Sequence, residues 1–102
     1  MPIFIKTEKF KVNSLSKNFK KAIIKEHRYW VESLKETGIR IKSGYLIDNL
    51  QKPGGGGLLI IECRTYKEAR KILINDPMIK HEIVDWELHQ WIDIHSKLRF
   101  NS

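Results

Sequence analysis

The spacing of apolar and polar positions changes period along the chain, and each change marks an element. Residues 2–11 are rich in β-branched and aromatic side chains, led by Ile3, Phe4 and Ile5, and read as a first strand. Asn13, Ser14 and Ser16 then offer turn and N-cap chemistry before a helix. At about 100° per residue, Phe19, Ile23, His27, Trp30 and Leu34 fall on one stripe, with Lys21, Lys25, Arg28, Glu32, Lys35 and Glu36 opposite. Gly38 ends that helix after Thr37. Ile39, Ile41, Ser43, Tyr45 and Ile47 alternate with Arg40, Lys42, Gly44 and Leu46, the period of a second strand. Residues 48–57 form a connection ending in Pro53 and four glycines, which predicts a long, mobile hairpin loop before a third strand over 58–64. Thr65 and Glu68 make a capping box for a second helix that turns Tyr66, Ala69, Ile72 and Leu73 inward and finishes near Asn75. Pro77 pushes Asp76 out of helical geometry. Residues 79–88 follow as a fourth strand, Val84, Trp86 and Leu88 alternating with Ile83, Asp85 and Glu87.

The order βαββαβ folds most naturally as an α+β domain, a four-stranded antiparallel sheet with both helices on one face. At 102 residues the chain is expected to be one domain, with a core over about 2–91 and a tail over 92–102. The third strand is apolar on both sides, Leu58 and Ile60 opposite Leu59 and Ile61, and the first strand repeats this with Ile3, Phe4 and Ile5. A sheet covered by helices on one face does not need that, so a second layer is expected, and a symmetric homodimer supplies it most simply. Trp91, Ile92, Ile94, Leu98 and Phe100 in the tail are apolar enough to complete such an interface.

Composition narrows the class of function. Hydrophobic residues at 41% and charged ones at 30% suit a soluble globular protein. Lys6, Glu8 and Lys9 interrupt the first apolar run, which resembles neither a signal peptide nor a membrane span, so a cytoplasmic location is expected. Cys63 is the single cysteine, rules out an intramolecular disulfide and is expected to pack as a small hydrophobe. The net charge of +7 is uneven: residues 1–51 hold eleven Lys/Arg against five Asp/Glu, and residues 52–102 hold eight against seven. Much of the surplus belongs to the solvated face of the first helix, although such lysines also steer small carboxylates or phenolates. RNA-binding domains of the RRM type share the element order but stack bases on aromatic residues of the third strand. Here that strand reads Gly57-Leu58-Leu59-Ile60-Ile61-Glu62-Cys63, so no nucleic-acid partner is expected. The glycines of residues 54–57 lead into a strand without the lysine and helix of a phosphate loop. His81, His89 and His95 lack metal-ligand spacing and are expected at the surface, with no metal site.

His27 is the candidate for chemistry. An imidazole on the apolar stripe of a helix is either a packed side chain bonded to backbone or a group that gives and takes protons near neutral pH. Asp76 before Pro77 is likewise either a helix-terminating turn residue or an acid able to orient His27 or share its proton. Trp86 is a core anchor or the wall of an apolar pocket.

These residues resemble the YciI-like, or YCII-related, proteins. The resemblance rests on the run His27-Arg28-Tyr29-Trp30-Val31-Glu32-Ser33-Leu34, then Gly38, Ser43-Gly44, the glycine-rich approach to the third strand, Asp76-Pro77 and Trp86. It covers roughly residues 2–91. It implies a ferredoxin-like fold paired into a dimeric α+β barrel and a His/Asp active site in a cleft, matching His27 and Asp76, with Trp30, Ser43, Gly44 and Trp86 as pocket residues. One related enzyme eliminates chloride from a chlorinated hydroxyhydroquinone, and the wider barrel superfamily includes muconolactone isomerases. Tyr45 stands where a proline is frequent, and Met78 where an aromatic is frequent, which bears on pocket shape and substrate.

Two functions are thereby expected as alternatives. One is a lyase or isomerase acting on a small organic molecule, anionic or phenolic, with His27 as general acid/base, Asp76 orienting it, and no cofactor. The other is a non-catalytic dimer holding a small ligand in the same cleft. A haem-degrading enzyme of the barrel superfamily fits poorly, because residues 65–75 contain no histidine to ligate haem.

Overall fold

The computed structural model describes residues 1–11 and 16–94. The elements run β1 (Ile3–Phe10), α1 (Lys17–Glu36), β2 (Ile41–Ile47), β3 (Pro53–Glu62), α2 (Tyr66–Leu73), α3 (Pro77–Lys80) and β4 (Val84–Trp91). The strands form one sheet in the order β2-β3-β1-β4, each neighbouring pair antiparallel. This is the α+β architecture expected from the pattern, of the ferredoxin-like kind that the resemblance implies, with α3 added between α2 and β4. Asn13 and Ser14 lie outside the described residues, as do His95, Leu98 and Phe100.

The helix ends follow their capping chemistry. Ser16 Oγ accepts from the Phe19 amide at 3.1 Å, and Thr65 Oγ1 accepts from the Glu68 amide at 3.1 Å. Gly38, at φ +89°, takes the left-handed conformation just past α1. On α1 the fully buried residues are Ile23 and Val31, with Ile24, His27, Trp30 and Leu34 half-buried beside them. Phe19, expected inside, is 40% exposed, because it lies in the first turn, where its ring meets the edge of His81. Tyr66 is also more exposed than expected, set edge-on to Phe4 at the start of α2.

Two other expectations are corrected. The glycine run is part of β3, and the hairpin connection is the short turn over 48–52, where Asp48 Oδ1 accepts from the amides of Leu50 and Lys52 at 2.8 and 3.0 Å. Gly57 pairs with Glu8 of β1 on one side and Tyr45 of β2 on the other. At Gly56, with φ +87°, a Cβ would overlap the carbonyl oxygen of Glu8. Close approach of backbones, rather than loop mobility, is what requires glycine there. The fourth strand begins at Val84 instead of residue 79, because Asp76 and Pro77 start a helical turn in which the Lys80 amide reaches the Asp76 carbonyl at 2.9 Å.

Packing divides into two adjoining clusters. Phe4, Val31, Ile41, Leu59, Ile61, Cys63, Ala69, Leu73 and Leu88 form the larger, while Ile23, Met78, Ile83 and Val84 form the smaller. Trp86 packs against both. Burial, then the nearby Glu68 carboxylate, push the Cys63 thiol above its ordinary range, so it packs as an inert small hydrophobe. Strand alternation leaves Ile3, Ile5, Leu58 and Ile60 half-buried on the opposite sheet face, near the exposed Trp91.

Candidate active site

The chemistry converges where α1 crosses β1 and β2 and the start of α3 meets them. His27 lies one helical turn beyond the buried Ile23, and that packing turns its ring toward the sheet. Its side chain keeps 13% exposure. Asp76 is fully buried, with ψ 125° imposed by the following proline, and its carboxylate caps α3 by accepting from the Met78 amide at 2.9 Å. The same oxygen, Oδ1, is 2.8 Å from His27 Nδ1. The other oxygen, Oδ2, accepts from Lys6 Nζ at 2.6 Å. Ser43, on β2, places Oγ 2.8 Å from His27 Nε2. Both ring nitrogens therefore bond side chains, and the backbone partners of an ordinary packed histidine are not used.

These contacts determine the tautomer. Burial on its own raises the Asp76 carboxyl, but the His27 hydrogen bond and the Lys6 charge outweigh it and hold the group below the ordinary carboxylate range. An ionised Asp76 only accepts, so His27 Nδ1 carries a proton and donates it. In the neutral ring Nε2 is then bare and accepts the Ser43 hydroxyl; with a second proton, Nε2 donates to Ser43 Oγ instead. Ser43, His27 and Asp76 thus stand in the order of a hydroxyl, a base and an orienting acid.

A cavity of about 880 Å³ opens on this group. Glu8, His27, Arg28, Ser43, Gly44 and Gly57 are among its walls. Lys9 and Lys35 add a second and a third cation, and Glu32 a second carboxylate. Of the expected pocket residues, Ser43 and Gly44 line the cavity, whereas Trp30 and Trp86 do not. Trp30 stacks obliquely beside His27, with centroids 5.8 Å apart, and packs into the larger cluster. Trp86 is held in the core under Arg70, whose guanidinium lies 5.9 Å from the ring centroid.

Two residues of the site escape the sequence reading. Lys6 is fully buried and bridges Asp76 to Glu8, its ammonium also contacting Glu8 Oε1. The available signal is parity: Lys6 and Glu8 share the phase of Phe4 on β1, the helix-covered side. His81 and His89 are exposed, His81 beside Glu26 at 3.3 Å. Among the described residues no three His, Cys, Asp or Glu side chains are grouped to hold a metal ion, and no helix is long and apolar enough to cross a membrane.

No protein-family model matches the chain, and no curated protein matches it by sequence. Among solved structures, the chain is similar to 5-chloro-2-hydroxyhydroquinone dehydrochlorinase (TftG) from Burkholderia phenoliruptrix AC1100, determined in complex with 2,5-dihydroxybenzoquinone. The two share 21% identity at a TM-score of 0.67, over 88% of this chain and 93% of that one. The likeness establishes a common fold.

Proposed function

We propose that this chain is a YciI-like protein that works as a small-molecule lyase or isomerase, with His27 as general acid/base and Asp76 orienting it. The observation that carries the reading is the two-sided bonding of His27: Nδ1 tied to a buried carboxylate, Nε2 turned to a hydroxyl on the cavity wall. An imidazole fixed in this way is ready to accept a proton at one known atom, and positioned acid/base groups contribute about 10²–10⁴-fold in rate. Proton abstraction beside a carbonyl, or elimination from a phenolic ring, needs that and a pocket of matching charge. Lys9, Arg28 and Lys35 line the same cavity and outnumber Glu8 and Glu32, which favours an anionic or phenolic substrate. The fold-sharing dehydrochlorinase, a lyase-type enzyme solved with a dihydroxybenzoquinone, supports the same class.

The homodimer expected from the two-sided strands belongs to this proposal, with Ile3, Ile5, Leu58 and Ile60 as its contact face. One observation favours the non-catalytic alternative: His27 already has partners at both nitrogens, as a structural or ligand-holding histidine does. Turnover measured by mass spectrometry over a panel of halogenated and hydroxylated aromatics and unsaturated lactones separates the two. Wild type is expected to convert at least one compound, and His27→Ala to lose at least about 10²-fold of that rate. Equal rates in both proteins refute the role of His27, and tight binding with no conversion selects the ligand-holding reading.

A further inference from the structure

Nothing in acid/base chemistry at His27 requires a lysine in the core, yet Lys6 is fully buried directly behind Asp76. Nor does a hairpin connection require the glycines of residues 54–57, since they lie within β3. The two features meet at Glu8. A Cβ at Gly57 would stand 2.9 Å from Glu8 Cγ and 3.3 Å from Cδ, closer than packed carbons tolerate, and one at Gly56 would strike the Glu8 carbonyl oxygen. Gly57 makes room for the Glu8 side chain to lie across β3 and reach Lys6, and Gly56 admits the backbone of β1 beside it. With its side chain 9% exposed, Glu8 forms an ion pair with the Lys6 ammonium, which donates its hydrogen bond to Asp76 Oδ2.

We infer that Lys6 is a positioning residue. Seated by Glu8 against Gly56 and Gly57, it fixes the Asp76 carboxylate so that His27 keeps its proton on Nδ1 and presents a bare Nε2 to the cavity. The physical reason lies in what Asp76 does without it. Oδ1 is occupied by the Met78 amide and His27, while Oδ2 has Lys6 as its hydrogen-bond donor among the described residues. A buried carboxylate stripped of that cation is driven to take up a proton. Protonated Asp76 can donate to Nδ1 instead of accepting from it, and the ring proton then moves to Nε2, the atom that must be bare to act as a base. A chain of five side chains, Glu8, Lys6, Asp76, His27 and Ser43, thus sets the protonation pattern at the cavity wall.

This inference rests on the reading of His27 as the proton carrier, and its test does not depend on turnover. Imidazole ¹⁵N NMR of the resting protein, at a pH where the ring is neutral, distinguishes the protonated from the bare nitrogen; the signal of His27 is assigned by its absence in His27→Gln. Wild type and Lys6→Arg are expected to show Nδ1–H, and Lys6→Met and Lys6→Gln to lose that pattern in favour of Nε2–H or a mixture. Should Lys6→Met fail to fold, the Arg/Gln pair carries the comparison. The seat is read separately: Gly57→Ala is expected to lower the melting temperature in the wild-type background and by much less in Glu8→Ala. An unchanged Nδ1–H pattern in Lys6→Met or Lys6→Gln overturns the inference, as does an equal effect of Gly57→Ala in both backgrounds. If a substrate is found, Lys6→Met is expected to lower kcat by about 10²-fold with KM little changed, within the range that positioned acid/base catalysis supplies. A protein with no turnover but the expected NMR pattern refutes the enzymatic reading alone. An active enzyme with an unmoved tautomer refutes this inference alone.

Discussion

Asp76→Asn is the most informative single change, because it keeps shape and removes charge. The carboxylate accepts three hydrogen bonds in a fully buried position, from His27, the Met78 amide and Lys6. Asparagine still accepts from the Met78 amide, so the α3 cap survives, but its amide group meets the Lys6 ammonium as donor against donor. Removing one partner of a buried ion pair costs about 3–5 kcal/mol. Glu8 keeps Lys6 partnered, which favours the lower end. A loss of about 3 kcal/mol is roughly a hundredfold in the folding equilibrium, at about 1.4 kcal/mol per tenfold. Urea unfolding followed by tryptophan fluorescence, with Trp30 and Trp86 half-buried as reporters, measures it at pH 7. The folded-state carboxyl is depressed below its ordinary value of 3.8, so the stabilisation it brings is full above that pH and is lost as pH falls through the folded value. The gap between wild type and Asp76→Asn is therefore expected to narrow in acid. Equal stability at pH 7, or a gap that does not change between neutral and acid conditions, refutes the reasoning.

Cys63 is 2% exposed with its thiol pushed up, so a thiol-specific reagent at pH 8 is expected to modify it slowly in the native protein and fully on adding denaturant; rapid native labelling contradicts its burial. On the outer sheet face, Ile5→Lys and Ile60→Lys are expected to convert a dimer to a monomer in light scattering while leaving the circular dichroism spectrum intact. A wild-type protein that is monomeric at micromolar concentration refutes the expected pairing.

The elements were largely legible because their periods are those of the faces they bury. Ser16, Thr65 and Gly38 mark helix ends by side-chain and backbone chemistry that operates locally, whatever the tertiary packing. His27 and Asp76 were legible as candidates, one from its place on a buried stripe and the other from its proline. What failed was local reasoning about residues whose role is set by a distant partner. Four glycines in a row signal a loop by composition, yet here Gly56 and Gly57 pack against Glu8, about fifty positions earlier, and Gly55 against Leu46. Lys6 reads as an interruption of an apolar run, yet its parity with Phe4 puts it inside. The α3 turn is not legible in the pattern because Met78, Ile79 and Ile83 are apolar in either conformation, and only the cap and proline decide between them.

Residues Lys6, Glu8 and Asp76 occupy a site where hydrophobic side chains would serve stability as well or better. Replacing a buried ionic group of three by apolar residues of similar volume is often neutral or stabilising by about 1–4 kcal/mol, because desolvation of the charges is no longer required. Here the triple variant Lys6→Met, Glu8→Met, Asp76→Asn removes every charge of the cluster and retains the α3 cap through asparagine. It is expected to unfold at a urea midpoint no lower than that of Asp76→Asn alone, which leaves Lys6 and Glu8 charged around a lost partner, and near that of wild type. In the triple variant the asparagine Oδ1 still accepts from His27 Nδ1, so the Nδ1–H pattern is expected to persist there, whereas Lys6→Met alone, which leaves Asp76 free to take up a proton, is expected to lose it. A triple variant far less stable than wild type shows that the charges hold the fold together, and the argument that they are kept for the state of His27 then falls. A triple variant as stable as wild type, beside a Lys6→Met variant whose tautomer has moved, separates the two roles: apolar packing by Phe4, Ile61 and Leu73 maintains the structure, and the buried lysine maintains the site.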